Sequence, residues 1–108
     1  MSLWKTTTPS FTTHSIAEYK GIVSGQAVLG TNALKDWFAG MADSHGGRAK
    51  GYEKDLAKAR SLALADMEMA AQSLGANGIV GIDCDYQVLG QKNNMLMVTV
   101  TGTAVIVQ

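Results

Sequence analysis

One long helical stripe constrains this chain more than any other feature. Apolar residues recur at spacings of three and four over about two dozen positions of the second half. They are Tyr52, Leu56, Ala59, Ala63, Met67, Ala70 and Leu74. This period predicts an α-helix from Ala49 to Leu74, and Gly75 follows in the position that favours a left-handed cap. At about 1.5 Å per residue, such a helix crosses or overshoots a domain of about 13 Å radius of gyration.

Strand patterns flank this helix on both sides. The segment 15–29 is apolar at many positions, and its glycines, Gly21 and Gly25, indicate a bulge or a close neighbour. After the helix, apolar residues alternate from Val80 to Val88 and again from Leu96 to Ile106. In the first of these strands, Val80, Ile82, Cys84, Tyr86 and Val88 are predicted to share one face.

Turns and a short helix complete the predicted element order. The turn-rich residues 90–94 predict an antiparallel hairpin between the last two strands. A short helix is predicted over 33–42, which carries four large apolar residues on one side. The order strand, short helix, long helix, strand, strand predicts an α+β fold. In it, a small antiparallel sheet packs on one helical layer.

Composition excludes several classes of protein. The chain of 108 residues fits one domain, and its 46% hydrophobic and 17% charged residues exclude a disordered protein. Nine basic residues balance nine acidic ones, so no nucleic-acid or anionic-membrane partner is expected. No apolar run has the length of a signal peptide or a membrane helix. We expect a soluble cytoplasmic protein, with an extended arm over 1–14 and a single domain over 15–108.

Two carboxylates form the clearest polar cluster. Asp83 and Asp85 lie two residues apart on a predicted strand, so their side chains emerge on the same face. Gln87 continues that face, and Thr99, Thr101 and Thr103 of the next strand are candidates to lie opposite. Oxygen ligands of this kind suit a hard divalent cation, and such an ion is the candidate cofactor. The alternative is an ordinary solvated face of an antiparallel sheet.

Other candidate ligands are scattered. Cys84 is the one cysteine, and it shares the predicted core face, where a thiol commonly packs as a small hydrophobe. His45 lies in a glycine-bearing loop, so a site that joins it to Cys84 would need residues of another subunit. Arg48, Lys50 and Tyr52 surround a predicted helix start, where backbone amides favour an anionic ligand. An exposed basic turn or an intersubunit ion pair explains the same residues.

Four spaced blocks of the sequence resemble the YbjQ-like family. They are VSGQA at 23–27, GRAKGYE at 47–53, LGANGIVGID at 74–83 and MLMVTVTGTAV at 95–105. The resemblance extends from about residue 12 to residue 107. It implies a dodecin-like strand–helix–strand–strand unit that assembles as a ring, typically a pentamer. It also implies heavy-metal binding, the property in the family's label.

Self-association is also expected from the sequence itself. The first strand has apolar residues on both faces, Ile22 and Val28 on one and Val23, Ala27 and Leu29 on the other. A single helical layer covers only one of these faces, and a three-stranded sheet leaves two open edges. The long helix also needs a neighbour to cover one end. A closed homo-oligomer answers these needs, and the count of five comes from the resemblance alone.

Three classes of function remain open. The first is a non-catalytic ring that binds a metal ion or a small ligand, and it is favoured because no catalytic signature stands in the sequence. The second is a structural or scaffolding oligomer with a protein partner. The third is an enzyme with an intersubunit site around Asp83 and Asp85.

Overall fold

A computed structural model describes residues 3–29, 50–89 and 95–108 of the chain. Its elements are β1 (Trp4–Lys5), β2 (Ile16–Leu29), α1 (Lys50–Ser73), β3 (Gly78–Leu89) and β4 (Met95–Val107). The short helix predicted over 33–42 and the turn predicted over 90–94 lie outside the described residues. Within the described ranges, no helix combines the length and the apolar character that crossing a bilayer requires.

The strands form one mixed sheet in the order β1-β3-β4-β2. β3 and β2 each pair with β4 in antiparallel fashion, which confirms the predicted pairing of the last two strands. The expectation of a purely antiparallel sheet of three strands is wrong, because β1 adds a fourth strand parallel to β3. The amides of Trp4 and Thr6 donate to the carbonyls of Asn77 and Ile79, at 3.2 and 3.1 Å, and so satisfy part of the edge of β3.

α1 packs on one face of this sheet, over β2 and β4. Its buried stripe consists of Ala59, Ala63, Met67 and Ala71, which confirms the centre of the predicted helix face. The ends of the stripe differ from the prediction. Leu56 is only half-buried. Leu74 is 42% exposed, because the helix ends one residue earlier, at Ser73. Gly75 has a φ of +79°, so the predicted left-handed cap is confirmed.

The helix and β2 meet closely at Gly25. A Cβ atom at this position would lie 2.6 Å from the backbone nitrogen of Met67 and nearer still to the carbonyl oxygen of Ala63. On β2, Val23 is buried toward α1, whereas Ile22 and Val28 are exposed on the opposite face. The predicted division of the strand into two apolar faces is therefore confirmed.

A bulge in β3 changes which residues face the helix. Val80 pairs with Thr103 and Asp83 with Thr101, so Gly81 and Ile82 together oppose a single residue of β4. Gly81 has a φ of +62°, a left-handed conformation typical of a glycine bulge. The prediction that Val80 and Ile82 share a face is wrong for this reason.

The two sides of the bulge belong to different clusters. Ile79, Ile82 and Cys84 pack toward α1. Val80 instead joins Val105 and Val107 on the other face of the sheet, under the side chains of Phe11 and Ile16. The N-terminal residues therefore cover the end of the sheet face that the helix does not reach.

Candidate functional site

The centre of the sheet face opposite α1 carries a grid of polar side chains. Two cross-strand rows are aligned on β2, β4 and β3: Ser24–Thr101–Asp83 and Gln26–Thr99–Asp85. Asp83 and Asp85 are exposed on this face, and their threonine neighbours are half-buried. The strand alternation and the register of β3 and β4 bring these groups together, which confirms the prediction for the carboxylates, Thr99 and Thr101. Thr103 instead pairs with Val80.

The two carboxyl groups of this grid interact directly. A side-chain hydrogen bond with Asp83 raises the pKa of Asp85 above its ordinary value of 3.8. The negative charge of Asp83 and a small desolvation raise the same pKa further. The two carboxylates therefore repel each other when both are charged.

Apolar side chains flank the polar grid on the outer strand. Ile22 of β2 is 86% exposed and Val28 is 54% exposed, both on the grid's face. β2 is the terminal strand in the sheet order, so along its outer side it pairs with no other strand of the described sheet. One backbone amide on this side, that of Gln26, donates to Asp66 Oδ2 of α1 at 3.3 Å.

Cys84 lies on the other side of the sheet from the two carboxylates. Its side chain is half-buried and packs against the core under α1. It lines a groove of about 330 Å³ between α1 and the N-terminal segment. Lys5 and Arg60 lie at the same groove.

The predicted site residues are therefore only partly brought together. Asp83 and Asp85 are adjacent, and Cys84 points away from them. His45 and Arg48 lie outside the described residues, as do the side chains of Lys50 and Tyr52. In the part of the chain that the structure describes, no three His, Cys, Asp or Glu side chains are grouped so that they could hold a metal ion.

The groove beside Cys84 was not predicted from the sequence. Arg60 gives one signal, because the residues three and four positions away on the helix are all apolar and leave it without an intrahelical partner. Lys5 gives none, since its position depends on the parallel pairing of β1 with β3.

Comparison with known proteins identifies the fold and the family. A crystal structure of a protein of unknown function from Pediococcus pentosaceus, which belongs to the DUF74 family, is similar over 98% of each chain. The TM-score is 0.66 at 15% sequence identity, so this likeness bears on the fold alone. The YbjQ family model, described as "Putative heavy-metal-binding", matches residues 3–108. With that match over nearly its whole length, the chain belongs to the YbjQ family.

Proposed function

We propose that this chain is a non-catalytic binding protein that acts as a closed homo-oligomer, with five subunits as the leading count. The observation that carries the proposal is that β2 is the terminal strand of the described sheet, in which it has no strand partner on its outer side. On the same strand, the apolar side chain of Ile22 is 86% exposed. The count of five rests on the family resemblance. The building block would be the dodecin-like unit that the same resemblance implies.

An exposed apolar edge strand needs a cover in solution. Unpaired backbone groups together with large apolar side chains favour uncontrolled strand addition, and proteins block such edges with charge, bulges or a partner. The charged residues and the register shifts of β2 all lie before Ile22. Residues 22–29 have no charged side chain and no bulge, so this half of the edge is not protected by its own side chains. A neighbouring subunit would cover it, and repeated head-to-tail contacts close into a ring where the rotation permits.

The mass of the protein in solution tests this assembly. Sedimentation velocity at low micromolar concentration should give one species at about five times 11.4 kDa. Ile22→Lys should reduce the mass to that of a monomer, because it places a charge in the contact. Met69→Lys is the matched control, since Met69 is 68% exposed on α1, and it should leave the mass unchanged. A monomeric parent protein refutes assembly, and another sharp multiple refutes only the count.

The described residues of one subunit do not fit a heavy-metal site. Heavy and soft metals favour thiolate and imidazole ligands that converge on one point. The thiol of Cys84 faces α1, whereas the grid on the other face offers only oxygen ligands. Cys84 belongs to no group of three candidate ligands among the described residues, so a heavy-metal site at Cys84 would need ligands from outside them, and a second subunit is the source that we propose.

A second candidate function is the binding of a hard divalent cation at Asp83 and Asp85. The contact between these carboxyl groups, which raises the pKa of Asp85, favours this candidate because a cation would relieve their repulsion. Titration calorimetry with Ca²⁺ and Mn²⁺ should show binding that Asp83→Asn weakens at least tenfold. Asp55→Asn, on the helix, is the control. This candidate is contradicted if Asp83→Asn and Asp55→Asn bind the cation with equal affinity, or if the parent protein does not bind it.

Zinc, copper and nickel form a separate arm of the same test. Equilibrium dialysis at micromolar concentration of Zn²⁺, Cu⁺ or Ni²⁺ should show binding if the family's label applies to this chain. Retention of metal that is lost in Cys84→Ala would assign it to the thiol. The absence of retained metal would refute the heavy-metal assignment.

A further inference from the structure

We propose that the groove beside Cys84 binds a small amphipathic carboxylate, with the apolar part of the ligand on the groove floor and its carboxylate at Arg60. The proposal rests on the binding function proposed above, whose ligand it names, and it does not depend on assembly.

The floor of the groove exists because α1 is placed to one side of the sheet. The helix packs over β2 and β4, and only its margin reaches β3. Ile82 and Cys84 of β3 are therefore only half-buried, although they face the helix side. With Leu64 of α1 and the buried Val100 of β4 they form an apolar floor. The volume of about 330 Å³ lies at the small end of the range for small-molecule sites.

The rim of the groove carries two cationic side chains with different partners. The ammonium of Lys5 is 2.7 Å from Glu68 Oε1, so its charge is neutralised within the protein. Arg60 forms no ion pair with any of the described residues. Its neighbours at three and four positions along α1 are Leu56, Ala57, Ala63 and Leu64, none of which can neutralise it.

This arrangement selects the chemistry of the ligand. A guanidinium group binds a carboxylate through two parallel hydrogen bonds, and its apolar stem can lie along an apolar ligand. The floor supplies no charge, so a ligand with several charged groups would lose hydration without compensation. A short aliphatic or aromatic acid with one carboxylate satisfies both the floor and the rim.

The single cysteine of the chain makes the groove directly measurable. Cys84 is the one thiol, so the rate of its reaction with iodoacetamide reports access to the groove floor. Octanoate should slow this reaction at least fivefold in a saturable manner at pH 7. Octanol has the same apolar part without the charge, and it should need at least tenfold higher concentration for the same protection.

Two charge variants identify the carboxylate's partner. Arg60→Gln should remove the preference for octanoate over octanol, while the folded state is verified by circular dichroism. Lys58→Gln is the matched control, because Lys58 lies two residues away on α1 and lines a different cleft, and it should keep the preference. Thiol reactivity that octanoate does not change in the parent protein overturns the proposal, as does an Arg60→Gln variant with unchanged preference.

Mass measurements on the same samples separate the two proposals. Protection of Cys84 in a monomeric protein would support the groove and refute assembly. A ring in which octanoate gives no protection would support assembly and refute the groove.

Discussion

At the scale of single residues, Gly25 sets the distance between the helix and the sheet. Its missing side chain allows the backbone of α1 at Ala63 and Met67 to approach β2, and both groups in the way are main-chain atoms. Main-chain atoms of a packed helix cannot rotate aside as a flexible side chain can. The close approach buries Ala63 and Met67 fully, so the core under α1 depends on this glycine.

Gly25→Ala should therefore destabilise the fold by about 1–3 kcal/mol, because the added methyl group must push α1 away from β2. Urea denaturation followed by circular dichroism measures the change in the free energy of unfolding. Ser24→Ala is the control on the same strand, since Ser24 is exposed, and it should change the value by less than about 0.5 kcal/mol. Equal effects of the two substitutions would contradict the close contact.

The carboxyl pair predicts a dependence of stability on pH. The pKa of Asp85 is raised in the folded protein, so between 3.8 and that raised value the folded state holds more protons than the unfolded chain. This pair therefore favours folding at low pH, and its contribution is lost as pH rises through the window. Asp85→Asn removes the pair's repulsion and should increase the urea midpoint relative to the parent protein at pH 6 to 7.

A pH series separates this effect from other titrations. The difference in urea midpoint between Asp85→Asn and the parent protein should shrink as the pH falls toward 3. Asp83→Asn should show the same trend, because it removes the other member of the pair. A difference that stays constant from pH 3 to pH 7 would show that the two carboxyl groups do not interact.

At the scale of elements, the buried side of α1 can be tested with two methionines. Met67 has no solvent exposure, whereas Met69 is 68% exposed on the same helix. Met67→Ala should lower the free energy of unfolding by about 2–5 kcal/mol, because it leaves a cavity under the helix. Met69→Ala should change it by less than about 0.5 kcal/mol. Similar losses for both variants would mean that the helix faces the sheet differently.

Periodic signals explain why most elements could be predicted from the sequence. The stripe from Ala59 to Met67 repeats the helical period, and Gly75 ends it, so α1 was expected within two residues of its observed bounds. The β3–β4 pairing followed from two alternating runs and a turn. Gly81 shows the limit of this reasoning, because a bulge changes the alternation by one residue and leaves no signal except a glycine.

At the scale of the whole molecule, the N-terminal segment is the least predictable part of the fold. Its two-residue strand pairs with β3, which lies more than seventy positions away along the chain, and no periodicity marks so short a strand. The segment also brings Phe11 over Val80 and Val105. The groove beside Cys84 is built from this segment, the helix and the sheet together, so sequence spacing could not reveal it.

Phe11 tests how firmly the N-terminal segment is attached. Its ring is half-buried over the second apolar cluster and stands edge-on to Trp4, with centroids 6.4 Å apart. Phe11→Ala should lower the free energy of unfolding by about 1–2 kcal/mol, because it uncovers Val105 and Val107. Phe11→Leu should cause at most half of the loss that Phe11→Ala causes, because leucine still covers part of the cluster. Urea midpoints measure both, and an unchanged midpoint for Phe11→Ala would show that the segment contributes nothing to stability.

The position of β4 has a consequence for the synthesis of the protein on the ribosome. β4 lies between β2 and β3 in the sheet, yet it follows both of them along the chain. While the chain emerges, β2 and α1 have no strand on which to complete their packing, and their apolar faces stay open until residues 95–107 have left the exit tunnel. Among the described strands, only the short pairing of β1 with β3 can form before β4 emerges. The pairings of β2 and β3 with β4 come last, and until then the open apolar faces favour aggregation.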